Sequence, residues 1–185
     1  MALMNADPSP AMAANTLAIR LYPDPSLRAR ARPVGAADEA AVRALIPRMF
    51  ATMYAAPGIG LAAPQVAVGL RVVVIDLMPQ DKPSPLAMVN PEIVEVGSDL
   101  VVREEGCLSL PGQYADISRP AHVKVRYLDE AGIRREIIGE DLLAACLQHE
   151  IDHLDGKLFV DHLSALKRNM LLRKLAKELR AKSEK

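Results

Sequence analysis

The sequence reads as an α+β chain, and three observations carry that reading. Short strand-like runs rich in Val and Ile cluster between residues 71 and 138, separated by turn residues. Apolar residues return at helical spacing in three other stretches, beginning near Asp38, Asp141 and Leu163. A short turn at Gly132 joins two of the strand-like runs directly, as in a hairpin. How these elements pack is not legible from periodicity.

In chain order, residues 1–16 are small and polar, lack the basic start and apolar run of a signal peptide, and read as a flexible extension. Residues 17–21 read as a short strand, and Pro23, Asp24, Pro25 and Ser26 as a turn. Asp38 is placed to cap a helix running to about Ala55, with Val42, Leu45, Ile46, Met49, Phe50 and Met53 on its period. Pro47 inside it predicts a kink or a local break. Pro57 and Gly58 end it. The stretch Gly58-Ile59-Gly60-Leu61-Ala62-Ala63-Pro64-Gln65 follows. It matches a loose dinucleotide fingerprint, but that fingerprint follows a strand and opens a helix, and this one follows a helix. It better suits a glycine-rich loop that lets backbone approach a ligand, with Gln65 as its polar group.

Residues 71–77 are a strand with Val72, Val73, Val74 and Ile75 as its apolar core, and residues 78–85 a proline-bearing loop. Residues 88–96 are extended, interrupted at Asn90-Pro91, with a turn at 97–99 and a strand to Arg103. Glu104-Glu105-Gly106-Cys107-Leu108-Ser109 is a polar stretch suited to a ligand loop, and Pro111-Gly112 a turn. Residues 123–127 and 134–138 form the hairpin. Asp141 is placed to cap a helix that Asp155-Gly156 stops. From Leu163, a stripe of Leu163, Leu166, Met170, Leu175 and Leu179 recurs, with Lys167, Arg168, Arg173, Lys174, Lys177 and Arg180 on the other faces. That makes a basic C-terminal helix over 163–183.

With 185 residues and no linker or repeat, residues 17–185 are expected to form one domain. The 23 basic and 23 acidic residues balance, which argues against a general nucleic-acid binder. Two cysteines make no disulfide framework and fit a reducing compartment, and no run is apolar enough to cross a membrane. A cytoplasmic protein is expected.

The chemistry centres on His149-Glu150-Ile151-Asp152-His153. Two histidines four apart share one helix face and can grip one divalent metal ion. Glu150, beside that face, can reach a water on the metal without being a ligand. Such a site wants a third protein ligand and an open position. Cys146 shares the histidines' face, but it lies about 7.5 Å of helix rise from the level of residue 151. A short side chain cannot span that and still make a bond of about 2.3 Å. Cys107 comes from a separate stretch and is free to complete a Cys-His-His set. A third histidine soon after the motif would need to stand at Phe159. Glu178 is the alternative ligand, which would make the chain a zinc peptidase.

With Cys107 in place, the three stretches together resemble peptide deformylase. That family carries Gly-x-Gly-Leu-Ala-Ala-x-Gln, Glu-Gly-Cys-Leu-Ser and His-Glu-x-x-His in this order, here ending at Gln65, Ser109 and His153. The resemblance covers roughly residues 17–165. It implies antiparallel sheets around a central helix that carries the histidines, with the C-terminal helix beyond. It implies hydrolysis of the formyl group from the N-terminal formyl-methionine of nascent polypeptides, releasing formate. Cys107, His149 and His153 would hold the metal, Glu150 would move the proton, and the Gln65 amide and Leu108 N–H would face the oxyanion. Iron(II) is implied as the native ion, with zinc, nickel or cobalt able to substitute. Gly58, Ile59, Gly60, Tyr114 and Arg119 are expected near the substrate. Tyr114 stands where some relatives have a substrate-contacting arginine, and Ala67 where the family often has glycine. A monomer that meets the ribosome through the basic helix is expected. A metal-storage protein that keeps the fold would need neither Glu150 nor Gln65.

Overall fold

The computed structural model describes residues 15–183, so the expected 1–16 extension lies outside it except for its last two residues. Helix α1 is Glu39–Ala55. Strands β1 (Gly60–Ala62), β2 (Val72–Ile75), β3 (Leu86–Val96), β6 (His122–Leu128) and β7 (Arg134–Glu140) form one antiparallel sheet in the order β1-β2-β3-β6-β7. Strands β4 (Leu100–Cys107) and β5 (Leu110–Pro120) form a separate antiparallel hairpin. Helix α2 is Asp141–Leu154 and helix α3 is Ala165–Ser183.

The continuous apolar run of β2 follows from burial on both faces. Alternate residues of a strand point to opposite sides. Val73 and Ile75 join Met88, Val123 and Val125 against Leu147, Ile151 and Leu154 of α2. Val72 and Val74 join Leu61 and Val89 against Ile46, Met49 and Met53 of α1. The sheet is therefore filled by a helix on each face, which requires β2 to be apolar throughout. A third cluster joins Leu110 and Ile117 of the hairpin to Leu27, Phe159 and Leu175.

Several local expectations are corrected. Residues 17–21 form no strand: the Leu17 N–H donates to Thr52 Oγ1 and the Arg20 N–H to the Gln65 carbonyl, outside any ladder. Helix α1 runs through Pro47 without a break. The Asp38 carboxylate makes no bond to the helix, because Arg32 and the Gly35 N–H occupy it. Asp141 is the first residue of α2 and pairs outward with Arg103, so it is not a cap. Residues 104–107 continue β4 instead of forming a loop. The hairpin turns at Leu108-Ser109, and Pro111-Gly112 lies within β5.

Helix α2 does stop where Gly156 follows it, at φ +73°, with the Gly156 N–H on the His153 carbonyl and the Lys157 N–H on that of Asp152. A side chain there would also strike the Arg28 carbonyl, 2.5 Å from an added Cβ.

The apolar stripe of α3 is shifted. Leu171, Leu172, Leu175 and Leu179 pack inward, while Leu166 and Met170 stay 72% and 64% exposed. The helix begins at Ala165, and five residues from Met170 to Leu175 turn it by about 140°. Leu175→Ala should therefore destabilise the protein by about 2–5 kcal/mol. Leu166→Ala should stay within about 0.5 kcal/mol. Urea unfolding of both variants measures the difference.

Candidate metal centre

Helix α2 presents His149 and His153 one turn apart, and the hairpin delivers Cys107 from the last position of β4. The pairing shifts register between Gly106 and Cys107, which re-aims the strand end. One donor atom from each of Cys107, His149 and His153 lies within 4.8 Å of the other two. Cys107 Sγ is 3.2 Å from His153 Nε2. His149 Nδ1 donates to Glu105 Oε2 at 2.9 Å, which leaves its Nε2 for the centre.

Electrostatics favour a cation here. Burial raises the pKa of the Cys107 thiol, but the charge of His153 and hydrogen bonds from His149 and His153 bring it well below its usual range. Burial lowers that of His149, but bonds to Cys107 and Glu105 push it well above the usual value. Each group thus favours the charged form of the other, and a divalent ion can take the place of the imidazole proton. The buried His153 Nδ1 has no protein partner. A soft thiolate with two imidazoles suits several divalent transition metals.

Glu150 is 5% exposed, and its Oε2 is buried without a partner. Burial raises its pKa. Gln65 is buried on the wall of the same cavity. Its Oε1 accepts from the Ala62 N–H at 2.8 Å, so its Nε2 must face Ser109 Oγ at 3.1 Å and Cys107 Sγ at 3.5 Å. The amide is thus locked as a donor beside the candidate ligand.

A cavity of about 470 Å³ opens onto this centre. Gly58, Ile59, Gly60, Gln65, Cys107, Leu108, Tyr114, His149 and Glu150 all line it. An added Cβ on Gly60 would fall on the Glu150 carboxylate, and one on Gly58 would lie 2.8 Å from Leu108. Ile59, Leu142, Ala145 and Cys146 give its lining an apolar part. Cys146 stands outside the donor group, with its pKa raised well above the usual value by burial.

Two expected roles move. Arg119 is not on the cavity wall but buried behind it, where Glu105 takes Nε and Nη2, and Asp152 takes Nη1. Glu178 accepts from Gln113 Nε2 at 2.7 Å and is not part of the donor group, which removes the support for a peptidase ligand set. Sequence reasoning missed Glu105, Ser109, Gln113 and Asp152 as contributors. Only Glu105 carried a signal, as a carboxylate two residues before a candidate ligand.

Antiparallel sheets around a helix that supplies two histidines, a cysteine from a hairpin and an adjacent buried glutamate define a metal-dependent hydrolase. The sequence pattern of the family described as polypeptide deformylase matches residues 16–169. The chain is 52% identical over 165 residues to a peptide deformylase of Cellvibrio japonicus, covering 89% of this chain and 96% of that one. It is likewise 52% identical over 159 residues to one from Pseudomonas aeruginosa, covering 86% and 94%. The crystal structure of a peptide deformylase from Legionella pneumophila matches with a TM-score of 0.85 at 50% identity, covering 92% of this chain and 99% of that one. One from Synechococcus elongatus, in complex with actinonin, matches with a TM-score of 0.80 at 44% identity, covering 85% and 86%. The chain belongs to the polypeptide deformylase family.

Metal content separates the two cysteines. Cys107→Ala should leave the purified protein with little bound metal, whereas Cys146→Ala should retain it. Glu105→Gln removes the charge behind His149 and should weaken affinity by about 10–100-fold. Elemental analysis and chelator titration measure these outcomes.

Proposed function

We propose that Cys107, His149 and His153 hold one divalent metal ion, and that Glu150 carries the proton in deformylation. The enzyme removes the N-formyl group from the N-terminal formyl-methionine of nascent polypeptides and releases formate. The observation that carries the mechanism is the buried, unpartnered Glu150 oxygen on the wall of the same cavity as Cys107 and His149. When bound, the metal supplies a Lewis acid that lowers the pKa of a neighbouring water. Iron(II) as the native ion, with zinc, nickel or cobalt as substitutes, follows from the family resemblance and suits the donor set.

Glu150 takes a proton from the water that attacks the formyl carbon. Burial favours its protonated form, so it can hold that proton until the C–N bond breaks and then deliver it to the departing amine. The water oxygen leaves in formate. Negative charge developing on the formyl oxygen meets the Gln65 Nε2 and the Leu108 N–H. Because the Ala62 N–H already fixes the Gln65 carbonyl, this donor needs no reorientation as charge builds. Gly60 and Gly58 let the backbone run close to Glu150 and Leu108, where any side chain would strike them. Ile59, Leu142, Ala145 and Cys146 receive the methionine side chain, and Tyr114 stands exposed at the cavity's edge.

Residues 17–185 act as one catalytic domain and a monomer in this reading. Cys107 and Cys146 are both free, as in a reducing cytoplasm, and no described helix is long and apolar enough to cross a membrane.

Glu150→Gln should keep its metal and lose about 10²–10⁴-fold in turnover. The unaltered enzyme should cleave formyl-Met-Ala well and acetyl-Met-Ala poorly. Metal retention with near-normal turnover in Glu150→Gln would remove Glu150 from its role.

The basic outer surface of α3 is proposed to meet ribosomal RNA. Its support is the row of Lys174, Lys177, Arg180 and Lys182, on a helix whose other side is docked. Changing all four to Glu should leave hydrolysis of a short formyl peptide unchanged. Co-sedimentation with ribosomes at low salt should fall sharply, because phosphate contacts dominate such binding. Equal pelleting of the charge-reversed protein would leave α3 as a solvated face.

A further inference from the structure

We propose that His162 is a positioning residue for the metal centre, acting on His149 through Asp152, Arg119 and Glu105. The inference rests on the reading of His149 as a metal ligand. His162 Nε2 lies 2.7 Å from Asp152 Oδ2. The same oxygen accepts from Arg119 Nη1 at 2.8 Å. Arg119 turns its other edge to Glu105, with Nε on Oε1 and Nη2 on Oε2. Glu105 Oε2 then accepts from His149 Nδ1 at 2.9 Å. The path crosses elements distant in sequence: a short 3-10 turn (Phe159–His162), α2, β5 and β4.

Burial makes the inner links rigid and leaves the outer one adjustable. The side chains of Arg119 and Glu105 are 5% and 8% exposed, so the pair has no water to fall back on. Asp152 is 17% exposed and His162 34%. Asp152 is therefore the point where the buried path meets solvent, and His162 is its protein partner on that side. Without the His162 N–H, the Asp152 carboxylate can turn to water and loosen its hold on Arg119. Glu105 then loses one constraint on the guanidinium that orients it, and the His149 ring gains freedom.

A second contact from the same turn reaches the same ligand. Phe159 is 1% exposed and stacks on the His149 ring, with centroids 6.2 Å apart and planes 20° from parallel. The turn itself is pinned, because Asp161 accepts from the Leu158 N–H and pairs with Arg28. Phe159 fixes one face of the imidazole, while His162 steadies the partner of its Nδ1. His162 does not line the cavity, so substrate binding should not sense its loss directly.

The test uses cobalt-loaded full-length protein and compares His162→Leu, His162→Gln and the unaltered enzyme. Gln supplies an amide N–H near the position of Nε2. In His162→Leu, cobalt release to a chelator should speed up about 3–10-fold. That is smaller than the ~10–100-fold known for direct partners of ligands, because His162 sits further out. The visible absorption of the bound cobalt should shift, kcat should fall, and KM should stay unchanged. His162→Gln should restore most of the release rate and spectrum. Val42→Ala, which loosens the cluster between α1 and the other face of the sheet, should leave the spectrum unmoved. If His162→Leu does not fold, Asp152→Asn takes its place, with the same faster release and shifted spectrum expected. Identical release and spectra in the Leu variant, or in Asp152→Asn where that is used, overturn the proposal, as does a Gln variant no better than Leu. Failure of the unaltered enzyme to bind cobalt would instead refute the ligand assignment itself.

Discussion

The centre depends on the buried ion pair between Arg119 and Glu105. The β4–β5 hairpin shares no ladder with the five-stranded sheet, yet it must carry Cys107 to within bonding reach of two histidines on α2. Side chains make that bridge. Glu105 grips His149, Arg119 grips Asp152, and Gln148 Nε2 donates to the Pro120 carbonyl at 3.0 Å. An ion pair out of water adds little net stability against an apolar pair of the same shape, but breaking one partner is costly. The pair therefore contributes geometry more than stability, since other placements of the hairpin would strand a buried charge.

The same economy governs the groups proposed to react. Gln65 is held by a backbone N–H three residues earlier and Glu150 by the helix that also carries the histidines. Neither waits on a flexible loop to reach its place. Gly60 lets β1 pass against Glu150, and the Asp76 N–H holds the Ile59 carbonyl next to it at 2.9 Å. The cavity wall is thus a strand edge pinned to the sheet.

Helix α3 serves the site from behind. Leu175 packs with Leu110 and Ile117 of the hairpin and with Phe159, the residue stacked on His149. Glu178 holds Gln113, which lines the cavity. One face of α3 supports the hairpin, and its basic face remains outward.

Much of the chemistry was legible in the sequence because it rests on local spacing. Histidines four apart share a helix face in any fold, and the distance along α2 separated Cys146 from Cys107 without a structure. The apolar run of β2 and the hairpin about Gly132 are equally local. Residues 104–107 read as a loop because their polar side chains hide a strand whose carboxylate Glu105 is buried against Arg119. The α3 stripe was counted from Leu163, before the helix begins, so Leu166 and Met170 were assigned inward. Arg119 looked like a substrate contact because a sequence shows a charge but not its partner. The sequence by itself singled out the candidate donors and Glu150 from residue type and helix spacing, and the reaction class from three motifs in family order. Only the tertiary structure decided which carboxylate holds His149, that Arg119 faces inward, and that His162 closes the path. Those contacts join residues 10 to 44 positions apart, where no backbone period relates one side chain to another.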